Sequence, residues 1–303
     1  MSDGFSALEP LLAARRRTDP WQHDRDKPAV YAPDYELLEQ LLTVPVRDGS
    51  APSTGRFALA VDAWLAAELR RAGFGADEVW PRAGQPRILP REVAELLERL
   101  PAKLADELRE RILKMPSIAP TSARVLGRAY EKQVDVLISR WDRGPELLIS
   151  TKSQVSAFGK NLPNRFEEAY GDAGNLRARY PLAAVGFCFV QRATVLRTEP
   201  EAFERTVDMM RKLRDLPIGA GSGNGYTATG LLLVDWDEPF TDRVRIVHEA
   251  VPADVAAPQF LARMVDAVLA VTPIQHHVTV RGLRERRTLN VREDEGALDL
   301  DFD

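Results

Sequence analysis

Two carboxylates and a lysine stand out in the stretch YEKQVDVLISRWDRGPELLISTKSQ, residues 130–154: Glu131, Asp135 and Lys152. Lys152 ends an apolar run, where burial penalises a charge unless a partner offsets it. The runs VDVLIS and PELLIST are strand-like and are joined by the turn RWDRGP. If they pair with Arg140 facing Pro145, paired positions sum to a constant and Asp135 falls opposite Ser150. Alternation then sets Leu148, Ser150, Lys152 and Gln154 on the face of Asp135, with Lys152 on its diagonal. Glu131 stands one helical turn before Asp135, at the end of a helix that Ser122 can cap and that runs to about Gln133. Carboxylates bind Mg²⁺ through hard oxygens, and the ion polarises a phosphate and lowers the pKa of its water. A nearby ammonium can orient that water or offset charge developing on phosphorus. The residue types therefore suit metal-assisted phosphodiester hydrolysis, although an isolated match of this spacing is more often a hairpin with a surface salt bridge.

The elements that must position these residues belong to a chain of 303 residues, 45% hydrophobic and 28% charged, which is the composition of a soluble globular protein with one large domain or two ordinary ones. No apolar run reaches the length of a membrane span, and the N-terminal MSDGFSALEPLLAARRR has acids before its apolar part and bases after it, the reverse of a secretory signal. A cytoplasmic protein is expected. The single Cys188, in VGFCFV, reads as a buried thiol, with no disulfide framework or cysteine-based metal site. A formal charge of −4 gives no global attraction to nucleic acid, so any such surface is local, and the tail REDEGALDLDFD reads as a solvated acidic end.

Residues 1–55 read as a peripheral segment with short helical pieces such as DYELLEQLL, ending in the linker-like RDGSAPSTG. Residues 56–118 read as a helical subdomain, which with 1–55 makes an N-terminal helical region, 1–118. Over 119–303 the order is helix, the two strands above, helix NRFEEAYGDAGNLRARY, strand AAVGFCFV, helix PEAFERTVDMMRKLRDL, strands GLLLVDW and RVRIVHEAV, helix PQFLARMVDAVLAV and a last strand near HHVTVRG. This is an α/β or α+β pattern with a mixed sheet.

Glu131, Asp135, Ser150-Thr151-Lys152 and Gln154, in a helix–strand–strand–helix–strand order, resemble the core of the PD-(D/E)xK nuclease superfamily. The segment FGKNLPNRFEEAYGDAGNLRARYPLAAVGF is similar to restriction-endonuclease-type proteins, and the resemblance covers roughly 120–192. It implies a restriction-endonuclease-like core, a central mixed sheet flanked by helices, within a nuclease-like catalytic domain. It also implies a Mg²⁺-dependent endonuclease acting on double-stranded DNA, of restriction or phage-defence type, with Mn²⁺ able to substitute. A repair or recombination nuclease of the same fold, or a non-catalytic DNA-binding protein retaining it, are the alternatives. Cutting both strands favours a homodimer. By the resemblance Asp135 is the metal-binding aspartate, Lys152 the catalytic lysine and Glu131 the glutamate of the first core helix, while Gln154 belongs to the DNA-contacting set.

Two positions depart from the family pattern. Val134 stands in place of a proline, and Ser150 in place of the acidic residue two before the lysine. Some restriction enzymes of the superfamily have serine there and supply a glutamate from the following helix, where this chain has Glu167, Glu168 and Asp172. Phe166, Ala169, Tyr170, Ala173 and Leu176 form that helix's apolar stripe, flanked on opposite sides by Glu167 and Glu168, with Asp172 following Glu168 at i+4. Glu168 is the favoured third member of the site, catalytic and metal-binding; Glu131, Glu167 and Asp172 remain alternatives. In FGKNLPNR, Lys160, Asn161, Asn164 and Arg165 lead into a helix start, a composition suited to phosphate contact. The loop GAGSGNGY lacks the Lys-Ser/Thr of a phosphate-binding loop, His248, His276 and His277 have no metal spacing, and RGLRERR reads as a solvated charge run or a further phosphate contact.

Overall fold

A computed structural model describes residues 4–25, 27–49, 55–214, 223, 225–238 and 243–293. In chain order the elements are α1 (Glu9–Ala14), β1 (Trp21–Gln22), β2 (Val30–Tyr31), α2 (Tyr35–Arg47), α3 (Arg56–Arg71), β3 (Val79–Trp80), α4 (Arg91–Arg99) and α5 (Ala102–Ile112). Then follow β4 (Ala123–Leu126), β5 (Glu131–Val134), β6 (Val136–Arg140), β7 (Gly144–Gln154), α6 (Leu162–Arg177), β8 (Ala184–Arg192), α7 (Val195–Thr198) and α8 (Pro200–Lys212). The last are β9 (Ala228–Asp235), β10 (Arg245–Ile246), α9 (Ala257–Val271) and α10 (Val278–Glu285).

The fold is mixed α/β. Six strands in the order β10-β9-β8-β7-β6-β3 form one sheet, in which β7, β8 and β9 run parallel and the flanking pairs are antiparallel. Strand β8 is buried along nearly its whole length, as expected for a parallel strand with helices over both faces. On one face Ile149, Cys188 and Leu232 pack in a cluster with Val61, Trp64 and Leu65 of α3 and Phe260 and Met264 of α9. On the other, Leu148, Phe187 and Leu231 pack with Phe166 and Ala169 of α6 and Val207 and Met210 of α8. Helix α9 lies close on the sheet because position 230 is glycine: a Cβ there would sit 2.8 Å from the Phe260 ring.

The hairpin β6–β7 has the register Val136↔Ile149, Leu137↔Leu148, Ile138↔Leu147, and then slips at Ile138/Ser139 so that Arg140 faces Gly144 and Ser139 faces Pro145. The expected Arg140–Pro145 pairing is thus off by one at the turn, where a bulge absorbs the difference. At the far end Asp135 N–H donates to Ile149 O at 3.1 Å, which keeps Asp135 beside Ser150.

Three local readings of the sequence are corrected. Residues 122–133 do not form a helix: Ala123 and Val125 are buried while Arg124 and Leu126 are exposed, the period of a strand, and β4 pairs with β5 in a separate two-stranded sheet. The run near HHVTVRG is helix α10, because Val280 and Leu283, three apart, both pack on the core, and tertiary packing overrides the β-branched composition. The segment 1–55 is not peripheral: Leu37, Leu38, Leu41 and Leu42 of α2 are essentially inaccessible. The loop GAGSGNGY, apart from Gly223, Gly225 and Tyr226, and the acidic tail beyond Glu293 lie outside the described residues. Among the described residues no helix is long and apolar enough to cross a membrane.

Candidate active site

Asp135 sits at a bend between β5 and β6. Val134 before it packs on the α6 side of the sheet and Val136 after it on the α3 side, so the strand alternation breaks at Asp135 and its carboxylate turns along the sheet end. Asp135 Oδ2 accepts a hydrogen bond from the Thr151 N–H at 2.7 Å. The same threonine's hydroxyl donates to Asp62 Oδ1 at 2.6 Å. Asp62 lies on α3 and is 7% exposed. Asp62 and Asp135 line one cavity of about 120 Å³, together with Arg87, Thr121, Ser122 and Gln133.

The electrostatics follow from this burial. Desolvation holds the Asp62 carboxyl well above the usual carboxylate range, and the charge of Asp135 raises it further, against the stabilising hydrogen bond from Thr151. Burial also raises Asp135, opposed by the Thr151 N–H and by the charges of Lys152 and Lys132. Two carboxylates that burial and mutual repulsion both disfavour thus share one polar cavity.

Lys152 is on the opposite face of β7 from Thr151, the side of α6, with its side chain 28% exposed. Its Nζ lies 3.8 Å from Glu168 Oε2, an ion-pair contact rather than a hydrogen bond. The structure therefore brings Asp135, Lys152 and Glu168 to one end of the sheet and adds Asp62. Glu167 turns elsewhere, lining an apolar groove with Pro163, Tyr170 and Met209. Asp172 is buried and committed: Tyr130 Oη donates to its Oδ1 at 2.9 Å and Lys132 pairs with Oδ2. Ser150 is 3% exposed, in register with Phe187 of β8.

Glu131 does not join the cluster. As a strand residue it lies four extended steps from Asp135, roughly 13 Å along the chain rather than one helical turn, and it is exposed and 3.9 Å from Arg124. Gln154 is also corrected. It is buried, its Nε2 donates to Ala157 O and Phe158 O, both at 3.0 Å, and its Oε1 accepts from Gln191 at 3.3 Å, so it clamps a turn and is not presented to DNA. Lys160, Asn161 and Asn164 are exposed and Arg165 is half-buried at the start of α6. The Phe158 and Gly159 N–H groups before them already donate to Glu199, at 3.0 and 2.6 Å, so these two amides are committed within the fold.

His277 is buried between Glu146, at 3.3 Å, and Glu78, at 3.7 Å, and His248 stacks edge-on against Tyr35. Within RGLRERR, Arg281 donates to Thr272 O at 2.7 Å and Arg284 pairs with Asp266, while Arg286 and Arg287 are exposed. Cys188 is buried, and burial pushes its thiol up.

Sequence reasoning missed Asp62 and the part of Thr151. The signal for Asp62 was present: it is the acid in FALAVDAWLAA, inside a helix apolar almost all round, where a charged residue is rarely buried without a reason. In comparisons with known proteins the chain matches no family model, and no curated protein or solved structure matches it significantly.

Proposed function

We propose that this chain is a metal-dependent DNA endonuclease of restriction or phage-defence type, built on a restriction-endonuclease-like core of the PD-(D/E)xK kind. The observation that carries the reading is the Asp62/Asp135 pair, two buried carboxylates tied by Thr151 to one cavity, with Lys152 next on the strand. The donor set is oxygen-only, and a small divalent cation relieves the repulsion between the two acids. Among the described residues no group of three His, Cys, Asp or Glu is gathered to hold a metal. A pair is compatible with Mg²⁺, which commonly takes one or two carboxylates and keeps waters and substrate phosphate as its other ligands. Bound there, Mg²⁺, or Mn²⁺ in its place, would polarise the scissile phosphate and acidify a water.

The chain's own residues divide the remaining work. Asp62 and Asp135 would hold the cation. Lys152 orients the attacking water and offsets negative charge on the phosphate oxygens, and Glu168 holds the ammonium near Asp135. Lys160, Asn161, Asn164 and Arg165, at the entry to α6, contact the DNA backbone. One such site per chain implies a homodimer for cutting both strands.

The test is cleavage of plasmid, branched, methylated and unmethylated DNA by the full chain. Asp135→Ala, Lys152→Ala and Asp62→Asn are each expected to abolish cleavage while leaving DNA affinity within a few-fold. Mg²⁺ or Mn²⁺ should support the reaction and Ca²⁺ poorly. Glu168→Gln should slow it, and Glu167→Gln should not. Full activity in EDTA, or in Asp135→Ala, would falsify the reading; DNA binding without any cleavage would leave a binding protein of the same fold.

A further inference from the structure

We infer that Thr151, the middle residue of the Ser150-Thr151-Lys152 triplet, is the positioning residue of the metal site: it sets one carboxylate from α3 and one from the β5–β6 bend on a single cavity. The inference rests on the endonuclease reading above. Thr151 is 5% exposed and reaches both acids: its backbone N–H donates to Asp135 at 2.7 Å, and its hydroxyl donates to Asp62 at 2.6 Å while also lying within reach of the Asp135 carboxyl. Both are short, direct hydrogen bonds. The hydroxyl has one proton to give, and giving it to Asp62 fixes the rotamer.

The two acids have different parents. Asp135 is held by the hairpin's own ladder, through its N–H to Ile149 O. Asp62 rides on α3, which packs on the central strands through apolar side chains such as Val61, Trp64 and Leu65; its polar tie to the sheet lies two turns further on, where Arg70 donates to Val79 O of edge strand β3 at 2.7 Å. Apolar packing holds a helix against a sheet, but a hydrogen bond is what fixes the direction of a carboxylate within a few tenths of an ångström. Ser150 cannot take this part, because alternation turns it to the α6 face with Leu148. The missing acid at position 150 is thus made good by a neighbour on the opposite face that recruits an acid from another helix.

The experiment is Mn²⁺ titration of the full chain, followed by electron paramagnetic resonance, with thermal melts in EDTA alongside. Thr151→Val keeps the backbone N–H, the β-branched shape and the volume but removes the hydroxyl. It is expected to weaken Mn²⁺ binding roughly tenfold, as loss of a group that orients a metal ligand generally does. Thr151→Ser, which restores the hydroxyl, should bind near the wild-type level. In an Asp62→Asn background Thr151→Val should cause a clearly smaller loss than in the wild-type chain, since most of its effect passes through Asp62. Should Thr151→Val fold poorly, Thr151→Ala against Thr151→Ser makes the same comparison. Wild-type Mn²⁺ affinity in a folded Thr151→Val protein, a lowered melting temperature without a change in affinity, or multiplying losses in the double variant would each overturn the inference while leaving the endonuclease reading standing. A wild-type chain that binds no Mn²⁺ removes the metal reading itself, and this inference with it.

Discussion

Asp62 carries a cost to the fold, and on the proposed reading it also serves the chemistry, a pairing natural sites often show. Its folded-state pKa is raised by burial and by Asp135, so the folded protein holds its proton more tightly than the unfolded chain does. The sign follows: in metal-free protein the site costs nothing at low pH, and stability falls as pH rises above the unfolded carboxylate value of about 4. Asp62→Asn removes that cost and keeps an oxygen for the Thr151 hydroxyl. In EDTA at pH 8 it should be more stable than wild type by on the order of 1 kcal/mol, and the gap should close below about pH 4. Urea melts at the two pH values check this; a destabilised Asp62→Asn at pH 8 would show that the ionised carboxylate is a net asset of the fold. The contrast with Asp135 and Lys152 explains what was legible. Those two share a hairpin, and hairpin geometry follows from alternation and a turn. Asp62 reaches them only through the packing of α3, which no local pattern encodes.

Among elements, those with strong periodicity could be read directly: α6, α8 and α9 from apolar stripes, and β7, β8 and β9 from apolar runs too short for helices. The β4–β5 hairpin could not, because what decides it is a side chain on α6. Asn175 is 6% exposed and stitches the hairpin's turn: its Oδ1 accepts from the Ala129 N–H at 2.8 Å and the Tyr130 N–H at 3.3 Å, and its Nδ2 donates to Tyr130 O at 3.1 Å. Position 127 admits only glycine here, since a Cβ would fall 2.1 Å from Asn175 Nδ2. Tyr130 and Lys132 add their contacts to Asp172 of the same helix. Because β5 leads straight into Asp135, this stitching also steadies the site. Asn175→Ala should cost about 2–3 kcal/mol, by leaving turn amides unpaired, and should raise hydrogen exchange over 127–131 before it affects β7. Unchanged protection across that turn would show that Asp172 alone suffices.

For the whole molecule, the mixed α/β class was visible in the order of elements, but the division into an N-terminal helical region and a catalytic domain at 118/119 concerns how those elements pack. One cluster of buried side chains runs from Phe5 and Leu38 through Val61, Trp64 and Leu65 to Ile149, Cys188 and Val265. Edge strand β3 also belongs to the first part, pairing Val79 with Ile138 and Trp80 with Leu137. A fragment 119–303 would uncover the part of one sheet face on which α3 packs, lose an edge strand and leave the Thr151 hydroxyl without Asp62. Each large side chain uncovered forfeits about 1.5–3 kcal/mol, against a total stability for ordinary proteins of about 5–15 kcal/mol, so a handful exceeds what the fragment can lose. The fragment is therefore expected to lack a cooperative thermal transition and to bind a hydrophobic dye, while the full chain melts cooperatively. Leu65→Ala in the full chain should cost about 2–5 kcal/mol and lower hydrogen-exchange protection in β7 and β8 as well as in α3. A sharp melting transition for 119–303, with native-like near-ultraviolet circular dichroism, would mean that the sheet holds its own core and that α3 serves only to deliver Asp62.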